Sequence, residues 1–417
     1  MKVFKFGGAS VKDAGSVRTI PGILEHYRED EIVVIISAMG KTTNALESLT
    51  LSAWEMDGAT DEIYAKLYAY HLNIVRDLFP DEKHAIYPKL NEFFNSIKSW
   101  LGVLSVPERE YSYDLYYDQI VSAGELLSTA IISQFLNEHS FGNTWLDARE
   151  LVITDDTYRA GRVNWEKTIE RIRDHVRGKL CITQGFIGGN GKFAITLGRE
   201  GSDFSAAIFA NALDADELIV WKDVPGYLNA DPKYFADTVK LDRISYTESI
   251  ELAFYGAKII HPKTIRPLKN KNIPLKVKSF LNPLSEGSLI HENGESDARV
   301  PSCIIKEDQV LLSISARDFS FIAENNLHQI FGFFVRHRCG INLMQNSAIS
   351  FSVCLDDNER LEGLIADLQH DFKVKYNKGL RLVTIRHYDQ GTIDKLTSGK
   401  DILLEQKSRT TAQFVIK

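Results

Sequence analysis

The sequence predicts an α/β chain with a mainly parallel central sheet, followed by ferredoxin-like βαββαβ structure. Three observations predict it. Short apolar runs such as "KVFKF" and "EIVVIIS" end at glycine or serine, as strands buried on both faces do. They alternate with segments whose apolar residues recur every three or four positions. Beyond residue 300 the order becomes strand, helix, strand, strand, helix, strand.

The elements follow in order. "KVFKF" and "EIVVIIS" (Glu31 to Ser37) are strands joined by a helical segment. From about Thr43 to Asn137 the pattern is helical, with "LYAYHLNIVRDLF" and "LYYDQIVSAGELLSTAIISQFL". Strands return at "TWLDA", "ELVIT", "KLCITQGFIG" and "FAITLG". The helix "SDFSAAIFANAL" precedes the strand "DELIVWKDV", and "IPLKVKSF" is a late strand of the same sheet. A polar stretch closed by proline, Asn293 to Pro301, is a linker. After it come "VLLSIS", a helix around "AENNLHQIFGFFVRHR", "INLMQ", "AISFSVCLD", the helix "NERLEGLIADLQHD" and "FKVKYN". "LRLVTIRH", a weak helix, "DILLEQKS" and "TAQFVIK" read as a second, shortened copy.

Composition bounds the function. A chain of 417 residues implies two or three domains. The net charge of −7 argues against a nucleic-acid or anionic-membrane partner, but not against a small anion met by local lysines. Four scattered cysteines without a CxxC pair favour a reducing cytosol over disulfides or zinc. No apolar run is long enough to span a bilayer, and Lys5 with its glycines interrupts any signal-peptide core. The expected location is cytoplasmic.

Four clusters carry chemistry. In "KFGGAS", Gly7 and Gly8 let backbone N–H groups approach a phosphate, and Lys5 brings positive charge; a plain strand exit with a solvated lysine is the alternative. "SAMGKTTN" follows a strand but is no P-loop, because position 35 is Ile35. Its threonines either bind an anion at a helix start or merely cap the helix. In "TLGREGSDFSAA", Ser202 and Asp203 could be ordinary caps, whereas Arg199 beside a glycine turn suits a carboxylate. "WKDVPGYLNADPKYF" places Asp223, Tyr227, Asp231 and Lys233 in one loop after a strand, where open α/β sheets bind ligands; Lys258 follows in "FYGAKIIHP". There is no GxGxxG, and His261 beside Pro262 reads as structural.

Together with "SAGEL" (Ser122 to Leu126) and "ITQGFIG", these clusters resemble, in order over about 290 residues, the aspartate kinases of the amino acid kinase superfamily. The tail resembles that family's paired ACT modules. The resemblance implies an amino acid kinase-like three-layer sandwich over residues 1–295, aspartate-binding in its N-terminal part and nucleotide-binding from about 200 to 295. It implies an ACT regulatory and dimerisation region over 300–417, with a first module at about 308–378 and a shortened second one from 300–307 plus 379–417. The implied reaction is phosphoryl transfer from ATP, with Mg2+ carried on its phosphates, to the β-carboxylate of L-aspartate, the first step towards lysine, threonine and methionine. A carboxylate with a pKa of about 4 is already nucleophilic at neutral pH, so positioning and charge neutralisation carry such a reaction.

By the same resemblance, Lys5, Asp203 and Lys258 are catalytic, and Ser37, Thr43, Glu125, Arg199 and Ser202 hold aspartate. Lys5, Gly7, Gly8, Ser10, Trp221, Lys222, Asp223, Tyr227, Asp231, Lys233 and Lys258 hold the nucleotide. Ser315, Asn342, Gln345 and Asn346 are the effector candidates for feedback by lysine or threonine. A homodimer through the ACT modules is expected, and no fused homoserine dehydrogenase. The chain departs from the family at Ala9, where threonine is common, at Glu200, where glycine is usual, and at Lys222 and Lys233, where threonine and arginine are common. Asn342 stands where lysine-binding relatives often carry aspartate. Three alternatives remain open at this point: a kinase of glutamate, N-acetylglutamate or UMP; a non-catalytic amino-acid sensor; and, for the tail alone, an ACT pair that dimerises without binding an effector.

Overall fold

Eight strands form one sheet in the spatial order Arg243–Ser245, Ser288–His291, Leu275–Ser279, Glu217–Lys222, Lys2–Phe6, Ile32–Ile36, Leu180–Gln184, Thr144–Trp145. This is a computed structural model that describes every residue except Pro107, Arg199, Lys258 and Phe319. Lys2–Phe6 runs parallel to both its neighbours, Ile32–Ile36 and Glu217–Lys222. Their C-terminal ends therefore lie along one edge, the edge at which open parallel sheets bind ligands. The antiparallel exception pairs Leu275–Ser279 with Ser288–His291. There Gly287 adopts φ +73, and a β-carbon would lie 2.2 Å from the Val277 carbonyl oxygen, so only glycine fits.

Strand alternation assigns the two faces. Phe4, Phe6, Val34 and Ile36 enter a large core with the helices Thr42–Glu55, Thr60–Leu78, Ile86–Leu104, Tyr113–Val121 and Ala123–Glu138. Val3, Lys5, Val33 and Ile35 alternate to the other face. The helix Gly201–Ala212 covers that side and packs on the strands Lys2–Phe6 and Ile32–Ile36. It is buried almost all round, as its small and apolar residues require, and the helices Pro262–Lys269 and Trp165–His175 pack against it. The result is three layers, helix–sheet–helix.

Two expected strands differ. "ELVIT" begins instead as a helical turn, Ala148–Leu151, because the Asp147 carboxylate accepts the Arg149 N–H at 2.9 Å and caps it. "TWLDA" contributes only Thr144–Trp145.

Two compact units divide the chain. The first comprises Met1–Tyr227, Lys240–Ser249 and Ile260–Gly294; the second comprises Leu228–Val239, Ile250–Ile259 and Glu295–Lys417. The second holds an antiparallel sheet ordered Leu343–Asn346, Ser350–Asp356, Ser302–Ala316, Phe372–Arg386, Thr411–Ile416, Ile402–Lys407. The helices Glu324–Arg336 and Leu361–Asp371 complete the βαββαβ order and bury Ile330, Phe334, Leu364 and Leu368 against Val310, Leu312 and Val353. "FKVKYN" and "LRLVTIRH" join into one 15-residue strand, Phe372–Arg386. Its far half pairs with Ser302–Lys306, which starts the equally long Ser302–Ala316. The helix Gln390–Thr397 and the last two strands add the shortened second copy around Ile385, Ile393 and Phe414.

Truncating the fully buried Ile36 to alanine should lower the stability of the first unit by about 2–5 kcal/mol, read as a shifted urea midpoint.

Candidate active site

Lys5 is the fourth residue of a five-residue strand, on the face covered by the helix Gly201–Ala212. That helix carries Asp203 in its first turn, and the Lys5 Nζ lies 2.6 Å from Asp203 Oδ1. Lys222, at the end of the neighbouring strand, brings its Nζ to 3.7 Å from Oδ2. Both partners of the close pair are buried, Lys5 at 8% and Asp203 at 1% exposure. Burial pushes the Asp203 carboxyl up, but the two lysines outweigh it and hold the group below its usual range.

The glycine loop is shaped by two close approaches. A β-carbon on Gly8 would lie 2.7 Å from the Gly40 carbonyl oxygen and 2.9 Å from that of Ala38. One on Gly7 would lie 3.3 Å from Lys5 Nζ. Gly8 thus lets the loops after two adjacent strands interlock, with the Gly40 N–H donating to the Gly8 carbonyl at 3.0 Å. Gly7 leaves room for the ammonium.

A cavity of about 610 Å³ opens on this edge. Lys5, Gly8, Ser37, Thr43, Glu125, Ser202 and Asp203 line it, so much of the expected aspartate pocket comes together. The capping alternatives fall away. The helix Thr42–Glu55 is preceded by Lys41 as N-cap, with no side-chain cap. Thr42 instead donates to His71 Nε2 at 3.2 Å, since His71 Nδ1–H is committed to the Leu67 carbonyl at 2.9 Å. Full burial pushes His71 down to about 4, so the ring is neutral. Neither Ser202 nor Asp203 caps its helix; the N-cap is Glu200, at φ +54 and without a cap hydrogen bond. His261 is structural as expected: its Nδ1 accepts the Lys263 N–H at 3.1 Å and caps the helix Pro262–Lys269.

Glu125 is buried in the cavity wall. The Ala38 N–H donates to its Oε1 at 3.3 Å, while Oε2 has no hydrogen-bond partner among the described residues. Burial pushes its carboxyl up to about 8.

Other expected residues lie elsewhere. Trp221 is fully buried and packs on Phe4, Phe6 and Tyr27, and Tyr227 is equally buried. The Ser10 hydroxyl donates to the Trp221 carbonyl at 3.1 Å. These three side chains are structural supports here, and none of them lines the cavity. Apolar character of this kind, at a strand's end, belongs to the core. Asp223 is exposed. Asp231 and Lys233 belong to the second unit, where Asp231 accepts the Lys233 N–H at 2.8 Å. Arg199 and Lys258 lie outside the described residues.

In the second unit the Asn342 amide is spent internally. It donates to Gln309 at 2.8 Å and Asp356 at 2.9 Å, and accepts from Lys306 Nζ at 2.7 Å. An effector would have to displace these bonds to reach it. Ser315 donates weakly to the Lys373 carbonyl at 3.4 Å, and Gln345 and Asn346 are exposed on the edge strand. Sequence reasoning missed Glu47, Tyr117 and Arg159, which also line the cavity. Arg159 lies in the polar loop "TDDTYRAGR", which carries no motif, and Glu47 and Tyr117 lie within the helices Thr42–Glu55 and Tyr113–Val121.

The model of the amino acid kinase family matches residues 1–279. The chain belongs to the amino acid kinase family. Among curated members it is 28% identical over 398 residues to lysine-sensitive aspartokinase 3 of Escherichia coli (strain K12), covering 92% of this chain and 86% of that protein. It is 26% identical over 384 residues to the chloroplastic bifunctional aspartokinase/homoserine dehydrogenase 2 of Zea mays, covering 88% of this chain but only 41% of that longer protein. Among solved structures, that of E. coli aspartokinase III in complex with aspartate and ADP superposes with a TM-score of 0.82 at 25% identity, covering all of this chain and 96% of that one. The amino acid kinase fold and the resemblance to aspartate kinases read from the motifs agree with these relatives.

Two outcomes follow from the site. For Glu125 the folded-state pKa is raised from 4.5 to about 8, so the folded protein holds the proton more tightly than the unfolded chain. Its contribution is full below about 4.5 and declines as the pH rises towards 8. Glu125→Gln should flatten that slope in ligand-free unfolding curves measured across the range. Glu200→Gly should stabilise by up to about 1 kcal/mol, because glycine accepts the left-handed backbone without strain, and calorimetry should show the midpoint rise.

Proposed function

We propose that this chain transfers the γ-phosphoryl group of ATP to the β-carboxylate of L-aspartate, giving 4-phospho-L-aspartate. The observation that carries the reading is the buried Lys5–Asp203 pair, set beside the Gly7–Gly8 loop and opening on the same cavity as Glu125. The aspartokinase relatives support it.

Two anions must meet, and repulsion between them is the main obstacle. A β-carboxylate oxygen forms the new P–O bond while the bond to the leaving ADP oxygen breaks. The acceptor is already ionised, so no base is required. Lys5 neutralises charge on the transferring group, and the glycine loop brings backbone N–H groups close to it. Asp203 holds the Lys5 ammonium in place. Glu125 receives the substrate ammonium, and an arriving cation draws off the proton that burial has kept on this acid. Ser37, Thr43 and Ser202 complete the aspartate pocket, with Arg199 on the α-carboxylate. Lys222 and Lys258 neutralise the nucleotide phosphates.

Among the described residues no three His, Cys, Asp or Glu side chains converge as a metal cage. Mg2+ would arrive on the nucleotide phosphates, and the buried Asp203 carboxylate would help hold it there. The ion supplies further charge neutralisation when bound. In the second unit, the ACT-like sheet carries dimerisation and feedback by lysine or threonine, with Ser315, Gln345 and Asn346 the remaining effector candidates. The enzyme acts in the cytoplasm, as its scattered free cysteines favour; no described helix is long and apolar enough to cross a membrane.

Hydroxylamine trapping with Mg-ATP should yield aspartyl hydroxamate. Lys5→Ala should stay folded and lose about 10²–10³ in kcat. Trapping of glutamate but not aspartate defeats the substrate assignment, and full turnover by the folded variant defeats the role of Lys5.

A further inference from the structure

Arg159 lines the same cavity as Lys5 and Glu125, yet no motif marks it. Its backbone sits at φ +62, a left-handed conformation that a long side chain rarely adopts. A buried carboxylate holds it there. Asp118 Oδ2 accepts the Arg159 N–H at 3.0 Å, and Oδ1 accepts the Thr196 hydroxyl at 2.6 Å. Strain maintained by a dedicated buried group is characteristic of functional positions.

The side chain lies over two aromatic rings. Its guanidinium carbon lies 4.3 Å from the centre of the Tyr117 ring and 5.8 Å from that of Tyr113. The Tyr117 hydroxyl in turn donates to the Glu47 carboxylate, which also borders the cavity. The one ion pair described for Arg159 is with Asp114 at 3.2 Å, and both side chains are about half exposed. Such a surface pair is weak and readily exchanged.

Chemistry then assigns the occupant. The acceptor carries two carboxylates. One must face the phosphoryl group and Lys5; the other, which Arg199 meets in the reading above, has room for a second cation from among the lining residues. A planar guanidinium with two parallel N–H donors fits a carboxylate better than an ammonium does.

We propose that Arg159 is a substrate-specificity residue whose guanidinium captures the non-transferring α-carboxylate of the amino acid acceptor, an inference that rests on the aspartate kinase reading above. It acts in addition to the motif residues, and it makes the loop Asp155–Arg162 part of the substrate pocket.

The test compares wild-type enzyme, Arg159→Gly and Arg159→Lys, using L-aspartate and its α-amide, L-isoasparagine. Glycine suits the left-handed backbone, so Arg159→Gly should fold, as thermal unfolding will show. Its KM for aspartate should rise about 10–100-fold, the usual worth of a charged hydrogen-bonded contact, with KM for ATP unchanged. The preference for aspartate over isoasparagine should fall by the same factor, and Arg159→Lys, which keeps the charge but not the fork, should be intermediate. An unchanged preference, or equal losses with both acceptors, overturns the proposal. A wild-type enzyme that uses neither acceptor but phosphorylates a different acid overturns the aspartate reading itself, and needs no variant to show it.

Discussion

Everything at the ligand edge of the sheet depends on one buried ion pair. Lys5 and Asp203 are each expensive to bury alone, and each makes the other tolerable. The pair also ties the first strand to the first turn of the helix Gly201–Ala212, nearly 200 residues later in the chain. With Lys222 beside the same carboxylate, two cations converge on one anion. On the proposed reading, an arriving phosphate would meet the Lys5 ammonium already desolvated and oriented, with little reorganisation left for the moment of reaction.

The loops around that pair are built by backbone contact more than by side chains. Gly8 and Gly40 touch main chain to main chain, so the Gly7–Gly8 loop and the loop leading to Thr43 form one body. A glycine expected for the sake of a ligand thus also has a packing reason. The two demands coincide at Gly8 because an uncluttered backbone serves both.

The sequence made the layers readable wherever burial was two-sided. "KVFKF" and "EIVVIIS" could be little else than central strands, and "SDFSAAIFANAL" little else than a buried helix. The polar cluster around Lys5, Thr43, Glu125 and Asp203 was legible because motif order carried it. The rest depended on tertiary geometry. Asp147 turned an apolar run into a helical turn by capping it. Trp221 and Tyr227 read as lining because their neighbours are polar, yet alternation sends them into the core. Asn342 was assigned from its position alone, and the network that consumes its amide joins residues far apart in sequence. Arg159 was invisible for the same reason: its place follows from Asp118, 41 residues earlier.

In the second unit, Ser302–Ala316 and Phe372–Arg386 each run 15 residues and pair with one another along most of that length. Both βα copies hang from this single two-strand girder, so neither has a private backbone. The ladder between the two strands is irregular only from Lys306 to Leu311, so parting the two copies would mean breaking main-chain bonds on both sides of that bulge.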